Sequence, residues 1–295
     1  MDLVLIGAFL AVLSSGFSAL RFYFARKTVS PRSPYRVTIV SSLVGVLFFV
    51  PASLILNYPD FRLSWVGFFI FVVVGLLIAF ALILMYESVR RVGASRTSPI
   101  IRGNMLIASL IAVLFLGETV ETLHLIGIVI LFFGVALVSY ETSGGESDSE
   151  SLFSLNLAFP LTAMILVGFT SISVSLGYAE GVPVTIGLAV QLLTSFIVIL
   201  SIFLYSGRHP LKPFRVEEKN LYIWAGISYV TFLACWNIAL SIAPVVVVIP
   251  LTGMTPLFVL LLSYFYLKQL EKITKILVFG VLLTVLGAAL VGIFM

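Results

Sequence analysis

Apolar residues fill this chain in long continuous runs, without the strict alternation of a half-buried strand. Ten such runs stand out, at roughly 3–24, 36–56, 65–86, 95–116, 123–140, 155–178, 184–206, 221–241, 244–266 and 274–294. Each is close to the ~20 residues that a helix needs to cross the hydrocarbon of a bilayer. In lipid every backbone N–H and C=O must find a partner within the protein, so such runs predict helices. A lipid-spanning barrel would need alternating strands instead. The first run follows Asp2 rather than a basic stretch, and it is longer than a signal-peptide core, which predicts a retained membrane helix. The expected fold class is all-α integral membrane, with ten transmembrane helices.

Composition supports lipid as the main solvent. Of the 295 residues, 61% are hydrophobic and 10% are charged, and the mean hydropathy is +1.20. A soluble surface takes about 25% charged residues. Phe outnumbers Trp 25 to 3, as expected where rings face acyl chains rather than the interface. The formal charge of +4 predicts no nucleic-acid partner, because the basic residues sit in short connections between apolar runs. Two connections are longer. Residues 142–154 (TSGGESDSESLFS) read as an acidic, flexible linker, and Ser206 to Asn220 is basic and broken by Pro210 and Pro213. Neither has room for a folded soluble domain.

The linker lies near the middle of the chain, and the flanking halves share a pattern. Glu118, Gly127 and Gly134 recur as Glu271, Gly280 and Gly287 with identical spacings, and GVALV at 134–138 recurs as GAALV at 287–291. Five helices per half is an odd number. The second half would therefore enter the bilayer from the opposite side, giving two inverted five-helix repeats, the usual scaffold for alternating access. The blocks GASRTSPII with FLGETVETLHLIGIVILFFGVAL, and SIAPVVVVIPLTGMTPLFVLLLSYFYLKQLEKITKILVFGVLLTVLGAAL, resemble the EamA-type repeat of the drug/metabolite transporter superfamily over nearly the whole chain. Pro256 fits the repeat pattern, whereas its first-half equivalent is Gly103. The resemblance implies a first repeat over 1–141, the linker over 142–154 and a second repeat over 155–295. It also implies a site contacted by the first, third, fourth, sixth, eighth and ninth spans.

Lys and Arg are distributed unevenly between the two sides. Arg21, Arg26, Lys27, Arg32 and Arg36 follow the first run. Arg90, Arg91, Arg96 and Arg102 join the third and fourth, Arg208, Lys212, Arg215 and Lys219 the seventh and eighth, and Lys268, Lys272 and Lys275 the last two. The other side has only Arg62. The positive-inside rule then predicts both termini outside, opposite to the habit of ten-helix relatives. The expected location is the plasma (inner) membrane.

No enzyme site is apparent. His124 and His209 lack companions at metal-ligand spacing, the single Cys235 forms no pair, and no Gly-rich phosphate loop occurs. The sequence implies no metal and no cofactor. Arg102 is the most informative residue. It falls inside an apolar run, on one helical face with Ser95, Ser98, Met105 and Ser109. Two roles are open to it: lining an internal cavity, or snorkelling to the basic interface. Trp236, on a stripe with Tyr229 and Phe232, is a candidate apolar wall. Asn237, Tyr86, Thr252 and Ser14 are candidate substrate-binding polar groups, each with helix packing as the alternative. Glu118 and Glu271 read as caps for the helices that follow them. No carboxylate falls within the first run, where the small multidrug branch of the superfamily carries its Glu, so proton-exchanged cations are disfavoured.

The sequence thus predicts a secondary transporter of a small metabolite, of the amino acid or organic anion class. The alternatives are a non-transporting membrane protein of the same fold and an exporter of cationic or aromatic compounds. Its expected partners are a small-molecule substrate and the lipid bilayer, and nothing requires more than a monomer. The orientation has a direct test. With a membrane-impermeant thiol reagent on intact cells, the D148C variant should stay protected and a cysteine appended after Met295 should label; the reverse pattern would place the termini inside.

Overall fold

A computed structural model of the chain describes residues 3–28, 33–61, 63–116, 122–143, 155–207, 212–243 and 245–293. Glu118, His209, Arg32, Arg62, Arg208 and nearly all of the linker lie outside them. Every regular element among the described residues is helical: α1 (Leu3–Lys27), α2 (Ser33–Asn57), α3 (Trp65–Val92), α4 (Ala94–Arg102), α5 (Asn104–Leu116), α6 (Thr122–Ser143), α7 (Leu155–Ala179), α8 (Val184–Tyr205), α9 (Lys219–Ile242), α10 (Val245–Thr252), α11 (Thr255–Tyr266) and α12 (Lys275–Ile293), with one 3-10 turn at Lys212–Arg215. Eight of these helices are long and apolar enough to cross a membrane: α1, α2, α3, α6, α7, α8, α9 and α12.

The ninth predicted span, in which Pro250, Gly253 and Pro256 mark an interrupted helix, is broken, and the fourth is broken against expectation. The fourth divides into α4 and α5 at Gly103, whose N–H turns back to Ile100 O at 3.0 Å. A Cβ on Gly103 would lie 2.6 Å from Met164 Sδ of α7, so the break lets the backbone approach a neighbouring helix closely. Asn104 serves the break itself. With its amide nitrogen facing the acceptors, it donates to Arg102 O at 3.0 Å and Ile101 O at 3.1 Å. The ninth span divides into α10 and α11, where Met254 N bonds Leu251 O at 3.3 Å and Pro256 opens the new helix without an N–H to lose. The third span runs six residues beyond its apolar stretch, because Glu87 bonds both Arg90 and Arg91 one turn on and supports a polar last turn.

The outer surface is apolar. Phe9, Phe69, Phe132, Phe133, Phe265 and Phe279 are all exposed, whereas Ser14, Ser41, Ser95, Thr97 and Thr284 are buried. That inversion suits lipid outside, with small hydroxyl residues packing helices inside. Several of these hydroxyls bond the preceding turn of their own helix, as Ser14 Oγ does to Ala11 O at 2.8 Å.

Helices from the two halves of the chain interleave. α1 packs on α9, α3 on α7 and α8, and α2 on α8 and α9. The duplicated helices, α6 and α12, pack directly against each other, and their glycines define the seam. A Cβ on Gly134 would meet Thr284 N at 2.5 Å, and one on Gly287 would meet Leu131 N at 2.3 Å. A Cβ on Gly280 would meet Val138 Cγ2 at 2.7 Å, and one on Gly127 would meet Val291 N at 2.8 Å. As the residue number rises along α6 it falls along α12, so the two helices run antiparallel. The contacts are also reciprocal: each glycine meets the residue that the duplication pairs with its own counterpart's neighbour. The two helices can approach this closely only where side chains are absent.

This seam predicts opposite responses to one chemical change. G287A should lower the melting temperature of the purified chain by several degrees, since overpacking of this kind costs about 1–3 kcal/mol. G16A, whose Cβ would meet nothing within 4 Å, should leave it unchanged or raised. Equal effects from the two would remove the packing argument.

Candidate functional site

The two broken helices meet through Arg102. As the last residue of α4, it extends Nη2 to Thr252 O, the final carbonyl of α10, at 2.9 Å, and to Thr255 Oγ1, at the start of α11, at 3.0 Å. Thr255 Oγ1 itself donates to Thr252 O at 3.0 Å. The guanidinium therefore lies between helix breaks from opposite halves of the chain. It is partly buried. A neutral donor would satisfy those two acceptors. The positive charge exceeds what the local backbone needs.

Carboxylates elsewhere among the described residues do not answer that charge. Among the described residues, Asp60, Glu180, Glu217 and Glu218 are exposed in connections. Glu87 pairs with Arg90 and Arg91, Glu141 with Arg96, and Glu271 with Arg26.

Arg21 was counted above with the first basic connection, and the structure corrects this. It lies within α1, six residues before the helix end, or about 9 Å along the axis at 1.5 Å per residue. Only 8% of it is exposed. Its guanidinium carbon sits 5.1 Å from the Phe22 ring centroid, 5.1 Å from that of Tyr229 and 5.4 Å from that of Phe232. One signal for it was present in the sequence: Gly7, Ala11, Ser14, Ser18 and Arg21 follow helical spacing down one face, and all are buried.

The other candidates divide. Tyr86 is 2% exposed, and its hydroxyl shares a 3.2 Å hydrogen bond with Ser41 of α2. Thr252 contributes its carbonyl, as above. Trp236 is half-buried and packs beside Ala11, Ala239 and Val248 in a separate apolar cluster. Asn237 turns its amide back to Leu233 O at 2.8 Å within α9, and Ser14 likewise bonds its own helix. Arg102, Thr252 and Thr255 are in direct contact.

A charged network ties the helices together at the end of the bundle that holds the C-termini of α1, α3 and α6. Glu271 is a cap, but for a different helix from the one expected. Its carboxylate accepts from Ala94 N at 2.6 Å, Ser95 N at 3.0 Å and the Ser95 hydroxyl, so it closes the N-terminus of α4 rather than that of α12. Arg26 Nε approaches the same carboxylate at 3.2 Å, and the Arg26 guanidinium also donates to Val89 O, Arg90 O and Leu270 O. Beside it Arg96 makes a two-pronged pair with Glu141 at 2.8 and 2.7 Å and donates to Lys272 O, while Thr274 Oγ1 donates to Glu141. α4 thus carries a carboxylate at its N-terminus and a guanidinium at its C-terminus, both favoured by the helix dipole. No group of three His, Cys, Asp or Glu side chains placed to hold a metal occurs among the described residues.

A protein of Lactobacillus johnsonii named for sugar uptake is 25% identical over 195 residues, a segment that spans 63% of this chain and 62% of that one. A solved crystal structure superposes over 98% of this chain and 95% of its own, with a TM-score of 0.65 and 17% identity, a likeness of fold. The model of the EamA-like transporter family matches residues 5–140 and again 155–293. With its multiple apolar helices, the chain belongs to the EamA-like transporter family, within the drug/metabolite transporter superfamily, and is an integral multi-pass membrane protein.

Proposed function

We propose that this chain is a secondary transporter that binds a small organic anion or amino acid at Arg102 and exposes it to each side of the membrane in turn. The carrying observation is the Arg102 guanidinium, set between two broken helices with no carboxylate beside it among the described residues. Desolvating such a charge is costly, and an arriving anion offsets the cost. The breaks also aim the N-terminal ends of α5 and α11 into the bundle, which favours negative charge there. Thr252 and Thr255 are its direct polar supports, with Tyr86 a further polar group and Trp236 an apolar wall of the proposed site. Asn237 and Ser14 take the lesser role of holding helix packing.

Two further observations support alternating access between inverted repeats over 1–141 and 155–295. The duplicated helices α6 and α12 run antiparallel with reciprocal contacts, as equivalent elements do about an axis in the membrane plane. The family model also matches twice, on either side of the linker. In this reading the Glu271–Arg26 and Arg96–Glu141 network is the closed gate of the basic side. The termini are outside and the membrane is the plasma membrane. The relative named for sugar uptake motivates a second reading, a neutral sugar held against the aromatic side chains of α9.

Uptake and efflux in reconstituted vesicles, with a panel of amino acids, organic anions and sugars, separate these readings. Arg102→Ala should abolish anion transport while the chain still inserts, and Arg102→Lys should weaken it by losing the planar fork. Wild-type rates in Arg102→Ala would sink the anion reading; transport of sugars alone would favour the second. Absence of any transport would leave a structural or regulatory membrane protein. The gate has its own test. Glu271→Ala leaves Arg26 and two α4 N–H groups without their acceptor, and breaking a buried pair costs about 3–5 kcal/mol. A cysteine at Ser98 should become more reactive toward a reagent supplied from the basic side; unchanged reactivity would mean that the network is not a gate.

A further inference from the structure

Two charged side chains are buried among the described residues, Arg21 and Glu271, and they are satisfied very differently. Glu271 has a guanidinium and three donors from α4. Arg21 faces the rings of Phe22, Tyr229 and Phe232 and makes no ion pair or hydrogen bond among the described residues. Aromatic faces attract a cation, but as hydrogen-bond acceptors they are weak. A guanidinium has five N–H donors in one plane, and leaving them unmet away from water is costly. The rings therefore hold the charge in place without using its donors. Nε is closed off without a partner, whereas Nη1 and Nη2 are not closed off in this way, so the free side of the fork is its outer edge.

This fork lies deep in the bundle. Counted from Lys219, Tyr229 and Phe232 stand ten and thirteen residues into the 24-residue α9, about 15 and 20 Å along its axis at 1.5 Å per residue. Arg21 thus meets the middle of α9, where an ionised side chain is a functional candidate by default. The two helices run antiparallel: Arg21 meets Tyr229 and Phe232, Ala11 clusters with Trp236 and Ala239, and a Cβ on Gly7 would meet Ala243. Phe22 and Tyr229 are buried, but Phe232 and Trp236, one turn apart on α9, are only half-buried. Aromatic surface is therefore left beside the guanidinium and one turn farther along. Helix packing of this kind does not need the arginine, since α7 packs along α3 with no charged residue in its length.

We propose that Arg21 is an anion-binding residue in its own right, taking the carboxylate of a monocarboxylate whose hydrocarbon body lies against Phe232 and Trp236. The outer edge of a guanidinium offers parallel N–H donors that match the two oxygens of a carboxylate. Rings around the cation keep water away, which strengthens the attraction between the paired charges. A strongly hydrated anion would give up its water to ring faces that return few hydrogen bonds, so an anion with an apolar body is favoured. The inference stands on α1 and α9 alone and does not require that Arg102 binds a substrate.

The test follows binding of radiolabelled phenylacetate to the purified full chain in lipid nanodiscs, by equilibrium dialysis at neutral pH with empty discs as background. Unlabelled phenylacetate should displace the label at a concentration about tenfold or more below that of acetate, which lacks the hydrocarbon body, and of 2-phenylethanol, which lacks the charge. Arg21→Gln should weaken binding about tenfold or more, the scale of one charge-assisted contact. Arg21→Lys should keep part of the affinity, and Phe232→Ala should erase the advantage over acetate. No saturable binding to the wild-type chain, wild-type affinity in Arg21→Gln, or equal competition by 2-phenylethanol overturns the proposal. Equal competition by acetate overturns the hydrocarbon body. Label lost in Arg102→Ala but kept in Arg21→Gln overturns the proposal and leaves the Arg102 reading standing. If Arg21→Gln does not fold, Arg21→Lys decides: wild-type affinity with the planar fork removed counts against the proposal, and a reduced one supports it.

Discussion

The constraint on which the rest of this structure depends is that lipid supplies no hydrogen bonds. Each interrupted helix must therefore find partners for its freed backbone groups inside the bundle. The chain interrupts two helices, one in each half, and brings the interruptions together. At the first break Gly103 and Asn104 satisfy the last carbonyls of α4. At the second, Thr255 and Arg102 satisfy the last carbonyl of α10. A single side chain thus repairs one break from the edge of the other, and it does so with a full positive charge at a place where charge is expensive. The proposed binding chemistry follows from that surplus.

The surrounding bundle is arranged so that this contact can exist. Glycines at the α6–α12 seam let two backbones meet almost directly, and interleaving of the halves places α1 and α9 alongside the breaks. At one end, carboxylates are matched with guanidiniums and helix termini: Glu271 with Arg26 and the start of α4, Glu141 with Arg96 and Thr274. Negative charge is consumed there, and none among the described residues reaches Arg21 or Arg102. The separation of a neutralised end from an uncompensated centre is what a carrier of anions requires, because ties that can break at an end and a cation that stays vacant inside serve different steps of one cycle.

Much of this was legible in the sequence. Run length located the eight long apolar helices, most of them to within a few residues, because lipid thickness sets that length. The duplicated Gly127, Gly134, Gly280 and Gly287 marked the seam, and Arg102 stood out as an ion in an apolar run. Other features were hidden for physical reasons. Run length says nothing of depth near its polar end, so Arg21 passed for a loop residue although α1 continues six residues beyond it. The break at Gly103 was missed because one glycine in a helix is commonly tolerated, and only the close approach of Met164 reveals its purpose. Glu271 was recognised as a cap, but its partner is 177 residues away in sequence, at Ala94. Asn237 and Ser14 are the right residue types, yet a rotamer turns each back onto its own helix, and residue type does not encode rotamer.

The measurement that bears most directly on the account is an experimental structure of the full chain in a bilayer mimic at a saturating concentration of a substrate that it transports. The account predicts that the substrate's negatively charged group lies between α4 and the α10–α11 break, within hydrogen-bond distance of Arg102. A transported substrate bound elsewhere, with the Arg102 guanidinium left as it is without it, would contradict it.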